Sequence, residues 1–261
     1  NDIDSVFTKG YDFVISCGDN VDNSANMAHY NYLFDTDQAF WANTTFVTAT
    51  GNHEISSFEK GAYHKPSSGG VITAPYNNSL LYFNISAPDQ DKSKGIYYSF
   101  DYSGAHFTVL NTNDLESDGR MSAAQAEWLI ADLKSTDKHK VVLMHKSLYS
   151  SGSHSFDNDV IKMREQLTPI FGENGVSLVL AGHDHTYSYT YYLDSDGNPI
   201  KGAMNGKSKI SGKGTLYVTL GTVGNKFYGW KDNDSVQTYY GEQLHDPELS
   251  NPIFARLIYD G

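Results

Sequence analysis

Aspartate, asparagine and histidine side chains hold metal ions through carboxylate or amide oxygen and imidazole nitrogen. In this chain they fall in four short blocks: Gly18-Asp19-Asn20, Gly51-Asn52-His53-Glu54, Met144-His145-Lys146 and Gly182-His183-Asp184-His185. Each block follows a β-type run. A chain that only has to fold gains nothing by ending strand after strand in metal-binding residues, whereas one that gathers ions at a sheet edge does. Two metal ions about 3.5–4 Å apart can clamp a phosphoryl group and its nucleophile for in-line displacement. Asp19 has two oxygens with which to bridge such a pair. His145, His183 and His185 offer neutral imidazoles, which suit iron, zinc and manganese. Asn52 offers a neutral oxygen and leaves the positive charge of the cluster higher than another carboxylate would. Singly, each block also reads as a polar turn or a buried histidine bonded to backbone. Their joint occurrence after four β runs is what points to one site.

The elements that must position these blocks follow from apolar patterning. Residues 12–17 and 46–50 read as buried strands stopped by Gly18 and Gly51. Residues 27–42 have helical character, with Tyr30, Leu33, Phe34, Phe40 and Trp41 as the apolar face. Residues 56–95 are polar and rich in Gly, Pro, Ser and Asn, and read as loops that could roof a site. Residues 97–102 and 106–110 form a hairpin pattern through Ser103-Gly104. Ser122 and Gln125 have capping-box spacing and open a helix through Leu133. A strand is expected over 140–144, then a helix over 159–174 that Pro169 kinks or splits, then a strand over 176–181. The last third is strand-rich, with expected strands over 187–193, 215–220 and 254–259. Strands alternating with helices early and dominating late give an α/β fold with mixed sheets. Ligands in such folds gather beyond the carboxyl ends of strands, where the four blocks are. No repeat or interdomain linker divides residues 1–261, which read as one domain.

Bulk properties narrow the function. A net charge of −12 disfavours nucleic acid as a partner, and no apolar run is long enough to enter a membrane as a spanning helix. The single cysteine, Cys17, lies in an apolar strand and reads as a small buried residue. Four Asn-x-Ser/Thr sequons, at Asn43, Asn77, Asn84 and Asn233, are what chance gives in a chain rich in Asn, Ser and Thr.

As a set, the blocks resemble the calcineurin-like metallophosphoesterase superfamily. With residues 97–102, 106–111, 142–152 and 182–187, the chain is similar to bacterial members of its purple-acid-phosphatase-like branch. The resemblance implies a sandwich of two mixed β-sheets flanked by helices and a dinuclear centre of iron, zinc or manganese. It implies that Asp19 bridges both ions, that Asn52, His145 and His183 hold the second, and that His185 holds the first. His53 is then a phosphate contact. His154, nine residues after His145, is a general acid or phosphate contact near the leaving group. The reaction implied is phosphoester hydrolysis, a metal-bound hydroxide attacking phosphorus in line. A phosphomonoesterase comes first, a phosphodiesterase or nucleotidase next, and a non-catalytic phosphate-binding module is the alternative outside enzymes. The substrate is a small phosphorylated molecule, and a secreted or cell-surface location is expected.

Two departures from the family pattern matter. The family's first Asp-containing block has no counterpart in residues 1–11, so a truncated start, a missing first strand and an incomplete first-metal site are expected. Purple members carry Tyr three residues after the bridging Asp, whereas Asp22 stands here. That argues against a purple centre and leaves Asp22 as a possible ligand or a turn residue. Lys146 and Arg164 could neutralise phosphate or be surface charges. Tyr149, Tyr187 and Tyr228 are candidates to line the cleft, the last in a Gly-rich loop over 221–228 that resembles one near the family's site.

Overall fold

The computed structural model describes residues 10–55, 75–85, 90, 95–200, 214–229, 240–244, 253 and 255–258. Two sheets organise them. In the small one, β1 (Val14–Ser16) and β2 (Phe46–Thr48) pair in parallel, with Ile15 opposite Val47. In the large one, β3 (Tyr98–Tyr102), β4 (Ala105–Val109), β5 (His139–Lys146), β6 (Val176–Gly182), β7 (Tyr187–Thr190), β8 (Leu216–Leu220) and β9 (Tyr240–Leu244) lie in the order β3-β4-β5-β6-β8-β7-β9. The four central strands, β4, β5, β6 and β8, run parallel, and the flanking pairs are antiparallel.

Period-two alternation builds a core on each face of the large sheet. Val141, Leu143, Leu178 and Leu180 point to the side where Phe13, Ile15, Cys17, Val47 and Ala49 of the small-sheet segments pack. Val142, Met144, Val179 and Ala181 point the other way. There they meet Leu129 and Leu133 of α5 (Ala123–Lys134), and Val160, Met163, Leu167 and Phe171 of α6 (Asn158–Glu173). The result is the expected sandwich of sheets with a helical layer outside. By the same parity His145 follows Val141 and Leu143, and so faces the small sheet.

Several expectations are corrected in detail. The helix over 27–42 is two helices, α1 (Met27–Thr36) and α2 (Gln38–Asn43). Asp37 divides them, because its carboxylate accepts from Phe40 N (3.0 Å) and caps a new start. Residues 56–95 are not loop throughout: α4 (Pro75–Phe83) lies within them and begins at proline, a residue favoured at a first helical position. Tyr82 of α4 stacks on Tyr30 of α1 with ring centroids 4.6 Å apart. Residues 56–74 lie outside the described ones. The capping box at α5 is half made. Ser122 Oγ accepts from Gln125 N, but the Gln125 amide turns inward to bond Asn111 N (2.8 Å) and Asn111 O (3.0 Å), tying the end of β4 to the helix.

Pro169 does not split α6, which is continuous from Asn158 to Glu173. The carbonyl that loses its donor belongs to Glu165, an exposed residue. Burial of Leu167 and Phe171 on either side offsets the remaining cost. The strand expected over 254–259 is not found in its described part, 255–258. The outer strand beside β7 is β9, which sequence patterning did not single out. No described helix is long and apolar enough to cross a membrane.

Candidate metal centre

The chain leaves β1 through Gly18 (φ +92°) and places Asp19 in the left-handed region (φ +55°), where a residue other than glycine is uncommon. A buried carboxylate holds that turn. Glu54 Oε2 accepts from Asp19 N (2.8 Å) and Gly51 N (2.7 Å), and Oε1 accepts from Asn20 N (2.8 Å). Glu54 itself stands in α3 (Asn52–Ile55), a single turn directly after the Gly51 bend. A Cβ on Gly51 would lie 2.1 Å from Asp19 Oδ1 and 2.4 Å from Asp19 N, so only glycine permits the approach. His53 N closes the arrangement by donating to Asp19 Oδ1 (2.9 Å).

His145 is buried at the meeting of the two sheets. It lies within β5, which runs two residues beyond the expected end at Met144. Its Nδ1 is 2.7 Å from the carbonyl oxygen of Cys17. A carbonyl only accepts, so Nδ1 carries the proton and Nε2 faces the site. Three acceptor-capable atoms meet Nε2: Asn52 Oδ1 at 2.9 Å, His183 Nδ1 at 3.1 Å and Asp19 Oδ2 at 3.2 Å. A single proton on Nε2 satisfies one of them fully, whereas a cation among the four satisfies all. The donor set, one carboxylate, one amide and two imidazoles, therefore fits a transition-metal ion. Asp19, His145 and His183 have donor atoms within 4.8 Å of one another.

His183 sits at the centre of a tight turn (φ +65°) closed by Asp184 N donating to Gly182 O at 2.8 Å. Strained backbone of this kind clusters at functional sites. The charges of Asp19 and His183 agree with cation binding. Burial alone would raise Asp19, but the charge and hydrogen bond of His145, with His53 behind them, hold it down at about 2. Burial, then the positive charges of His145 and His154, push His183 down to about 2, so it remains a neutral donor. His145, which burial would lower, is raised on balance by Asp19.

Around this group stand the other expected residues. His53 Nδ1 donates to Asp22 O (2.6 Å), and its Nε2 lies 3.7 Å from Asp19 Oδ2. Asp22 has an exposed side chain on the rim, with one oxygen 3.8 Å from His53 Nδ1. His185 is outside the tight group. Its Nδ1 donates to Lys226 O (2.5 Å), and its ring stacks on Tyr228 at 4.4 Å and 6°. The loop over 221–228 thus contacts His185 and, through Tyr228, His154. His154 lies in a 3-10 turn (Ser153–Phe156), its ring 4.3 Å from that of His183.

Three residues whose sequence role was open have structural partners. Arg164 donates to Leu148 O (2.5 Å) and Ser155 O (2.7 Å), anchoring both ends of the loop that carries His154. Lys146 pairs with Asp159 at the start of α6. Tyr149 is buried against Tyr217 rather than lining a cleft. Two carboxylates inside the quoted blocks were passed over, Glu54 and Asp184. Buried Asp184 accepts from His154 N (3.3 Å), and a Cβ on Gly152 would strike it at 2.3 Å. Their position beside metal-type residues was the available clue.

Carboxylate, amide and imidazole donors at strand ends, between two packed sheets, define an α/β protein of the metallohydrolase type. The chain belongs to the calcineurin-like phosphoesterase family, whose profile matches residues 2–187. It is 30% identical over 186 residues to purple acid phosphatase 21 of Arabidopsis thaliana, covering 69% of this chain and 36% of that protein. It is 28% identical over 188 residues to a phosphoenolpyruvate phosphatase of Allium cepa, covering 69% and 36%. Among solved structures, a purple acid phosphatase from yellow lupin (Lupinus luteus) seeds superimposes with a TM-score of 0.71 at 22% identity, over 92% of this chain and 42% of that one. The chain thus spans about a third of the length of these curated relatives. The family implies a dinuclear metal centre, and the described residues include candidates to hold one.

Proposed function

We propose that this chain is the catalytic domain of a metal-dependent phosphomonoesterase acting on small phosphorylated substrates. The observation that carries the reading is the convergence of Asp19, Asn52 and His183 on His145 Nε2, an arrangement only a cation satisfies in full. In this reading Asp19, Asn52, His145 and His183 would hold one ion, and His185 would help to hold a second. Iron, zinc and manganese all match the donor types. When bound, the ions would supply positive charge to phosphate oxygens and lower the pKa of a coordinated water.

The chain's own residues do the rest. Glu54 holds Asp19 and Gly51 in place through three backbone N–H groups. Cys17 O fixes the His145 tautomer, and Lys226 O fixes that of His185. His53, tied to Asp22 O through Nδ1, presents Nε2 towards the site and, with that nitrogen protonated as well, would donate it to a phosphate oxygen. His154, on a loop anchored by Arg164 and Asp184 beside His183, would give a proton to the leaving oxygen. Asp22 stays at the rim as a turn residue. A secreted or cell-surface location belongs to the same proposal.

The test is a chromogenic assay on the metal-loaded protein, with a phosphomonoester and a phosphodiester in parallel. Hydrolysis of the monoester that is lost in His145→Ala supports the reading. A metal-loaded protein that hydrolyses neither ester overturns it, and preference for the diester moves it to a phosphodiesterase.

A further inference from the structure

We propose that Lys226 and Tyr228 form a subsite for a second anionic group of the substrate, a carboxylate or phosphate carried on the leaving group. The inference rests on the phosphomonoesterase reading above and names the class of small phosphorylated molecule that the site prefers. β8 ends at Leu220, which pairs with Tyr187, so the loop over 221–228 leaves the sheet beside His185. Its backbone clasps that residue twice. Lys226 O accepts from His185 Nδ1 (2.5 Å), and Tyr228 N donates to His185 O (3.2 Å). Gly221 turns the chain (φ +74°), and Thr222 Oγ1 accepts from Gly224 N (3.0 Å) to tighten the bend.

The second observation is where the charge of Lys226 goes. Its Nζ lies over the Tyr228 ring, 5.3 Å from the centroid, where the face of the ring attracts a cation. That ring is stacked on His185 and stands 5.8 Å from the ring of His154. Lys138, Lys146, Lys162 and Arg120 pair with carboxylates, and Arg164 with two carbonyls. Lys226 Nζ has no carboxylate partner among the described residues. The carboxylates of the rim stand elsewhere, Asp22 beside His53 and Asp157 beside His154. A cation held by an aromatic ring next to a metal-type histidine is placed to meet whatever part of a substrate extends past its phosphate.

The role is selection rather than chemistry. The phosphate group goes to the metal-type residues, the rest of the ester passes over Tyr228, and Lys226 attracts the second anion. That attraction is the same before and during bond breaking, so it lowers KM and leaves kcat alone. Lys226 is exposed, and screening by water limits the gain to about three- to fivefold.

A matched pair of esters tests this. In 2-phosphoglycerate a carboxylate replaces one hydroxymethyl group of glycerol 2-phosphate, and the phosphate is attached to the same carbon. On the metal-loaded protein, Lys226→Gln should raise KM for 2-phosphoglycerate about three- to fivefold and change KM for glycerol 2-phosphate much less. Lys226→Glu should raise the first further, and Lys226→Arg should restore it. Added salt should erode the difference between wild type and Lys226→Gln. Equal changes on both esters, or no change on either, would overturn the proposal. So would loss of bound metal in Lys226→Gln, which would mean that the residue acts through His185. If the metal-loaded wild type cleaves neither ester, the phosphomonoesterase reading has failed, and calorimetry still decides the subsite. 2-Phosphoglycerate should then bind the wild type more tightly than Lys226→Gln, with no such difference for glycerol 2-phosphate; equal binding of 2-phosphoglycerate to the two proteins would overturn the subsite.

Discussion

His145 donates its Nδ1 proton to the carbonyl oxygen of Cys17 across 2.7 Å, and this bond joins the large sheet to the small one at the floor of the site. It links a folding feature to a chemical one. The sheets must pack closely for the bond to form, and once formed it leaves Nε2 as the atom that faces Asp19, Asn52 and His183. Close packing is visible at Gly182, where a Cβ would meet Cys17 Cβ at 3.3 Å.

Glu54 should be more costly to lose than its distance from solvent chemistry suggests. Glu54→Ala leaves three N–H groups around a buried carboxylate position without their acceptor, at about 1–3 kcal/mol for each one that stays dry. Urea unfolding should show a loss of about 3 kcal/mol or more, together with weakened metal binding. An unchanged midpoint would contradict the hub role.

Gly51→Ala should be nearly as damaging by a different route. The added methyl would overlap Asp19 Oδ1 and N, so the turn must open. The expected outcome is loss of metal affinity with the far core intact, read as metal content against near-UV circular dichroism. A Gly51→Ala protein that binds metal like the wild type would show that the turn relaxes without consequence.

Three of the groups through which the metal-free protein should respond to pH are His183, Asp19 and His145. Folded His183 is held neutral, its pKa pushed to about 2 from 6.5, so the unfolded chain takes up the proton first and stability falls as pH drops below 6.5. Asp19, lowered from 3.8 to about 2, adds a further loss below 3.8. His145 is raised, so its contribution is present below 6.5 and is lost as pH climbs through its folded value. These three alone favour the folded state most near pH 6.5, with an acid slope of about 1.4 kcal/mol per pH unit from His183, and the lowered His185 adds to the same acid limb. Urea titrations in chelator check this, because His183→Asn should flatten the acid limb; an identical limb in the variant would rule out His183 as its source.

Cys17 should be inert in the native state. Burial pushes its thiol up to about 12, so little thiolate forms at neutral pH. Alkylation should be slow in buffer and fast in denaturant. Rapid native labelling would mean that the small sheet opens readily.

Much of this was legible in the sequence because strand parity and glycine stops are local signals. Val141, Leu143 and His145 alternate on one face, and Gly18 and Gly51 mark where two strands release their site residues. The α/β class, the hairpin and the main helices followed. What was missed depended on partners far along the chain. Asp37 divides a helix through its own cap, and α4 is packed by aromatic rings from α1. Pro169 is tolerated because tertiary packing outweighs a local penalty, which no window of sequence contains. At the candidate site, metal-type residues could be singled out by type, whereas Glu54 and Asp184 act through bonds that only the folded chain reveals.

The central claim is that Asp19, Asn52, His145 and His183 hold a transition metal, and metal content measured on purified protein tests it most directly. The account predicts bound iron, zinc or manganese in the wild type, its loss in His145→Ala and its retention in His154→Ala. A wild type that binds none of these ions when they are supplied, or a His145→Ala protein that keeps its full complement, would contradict it.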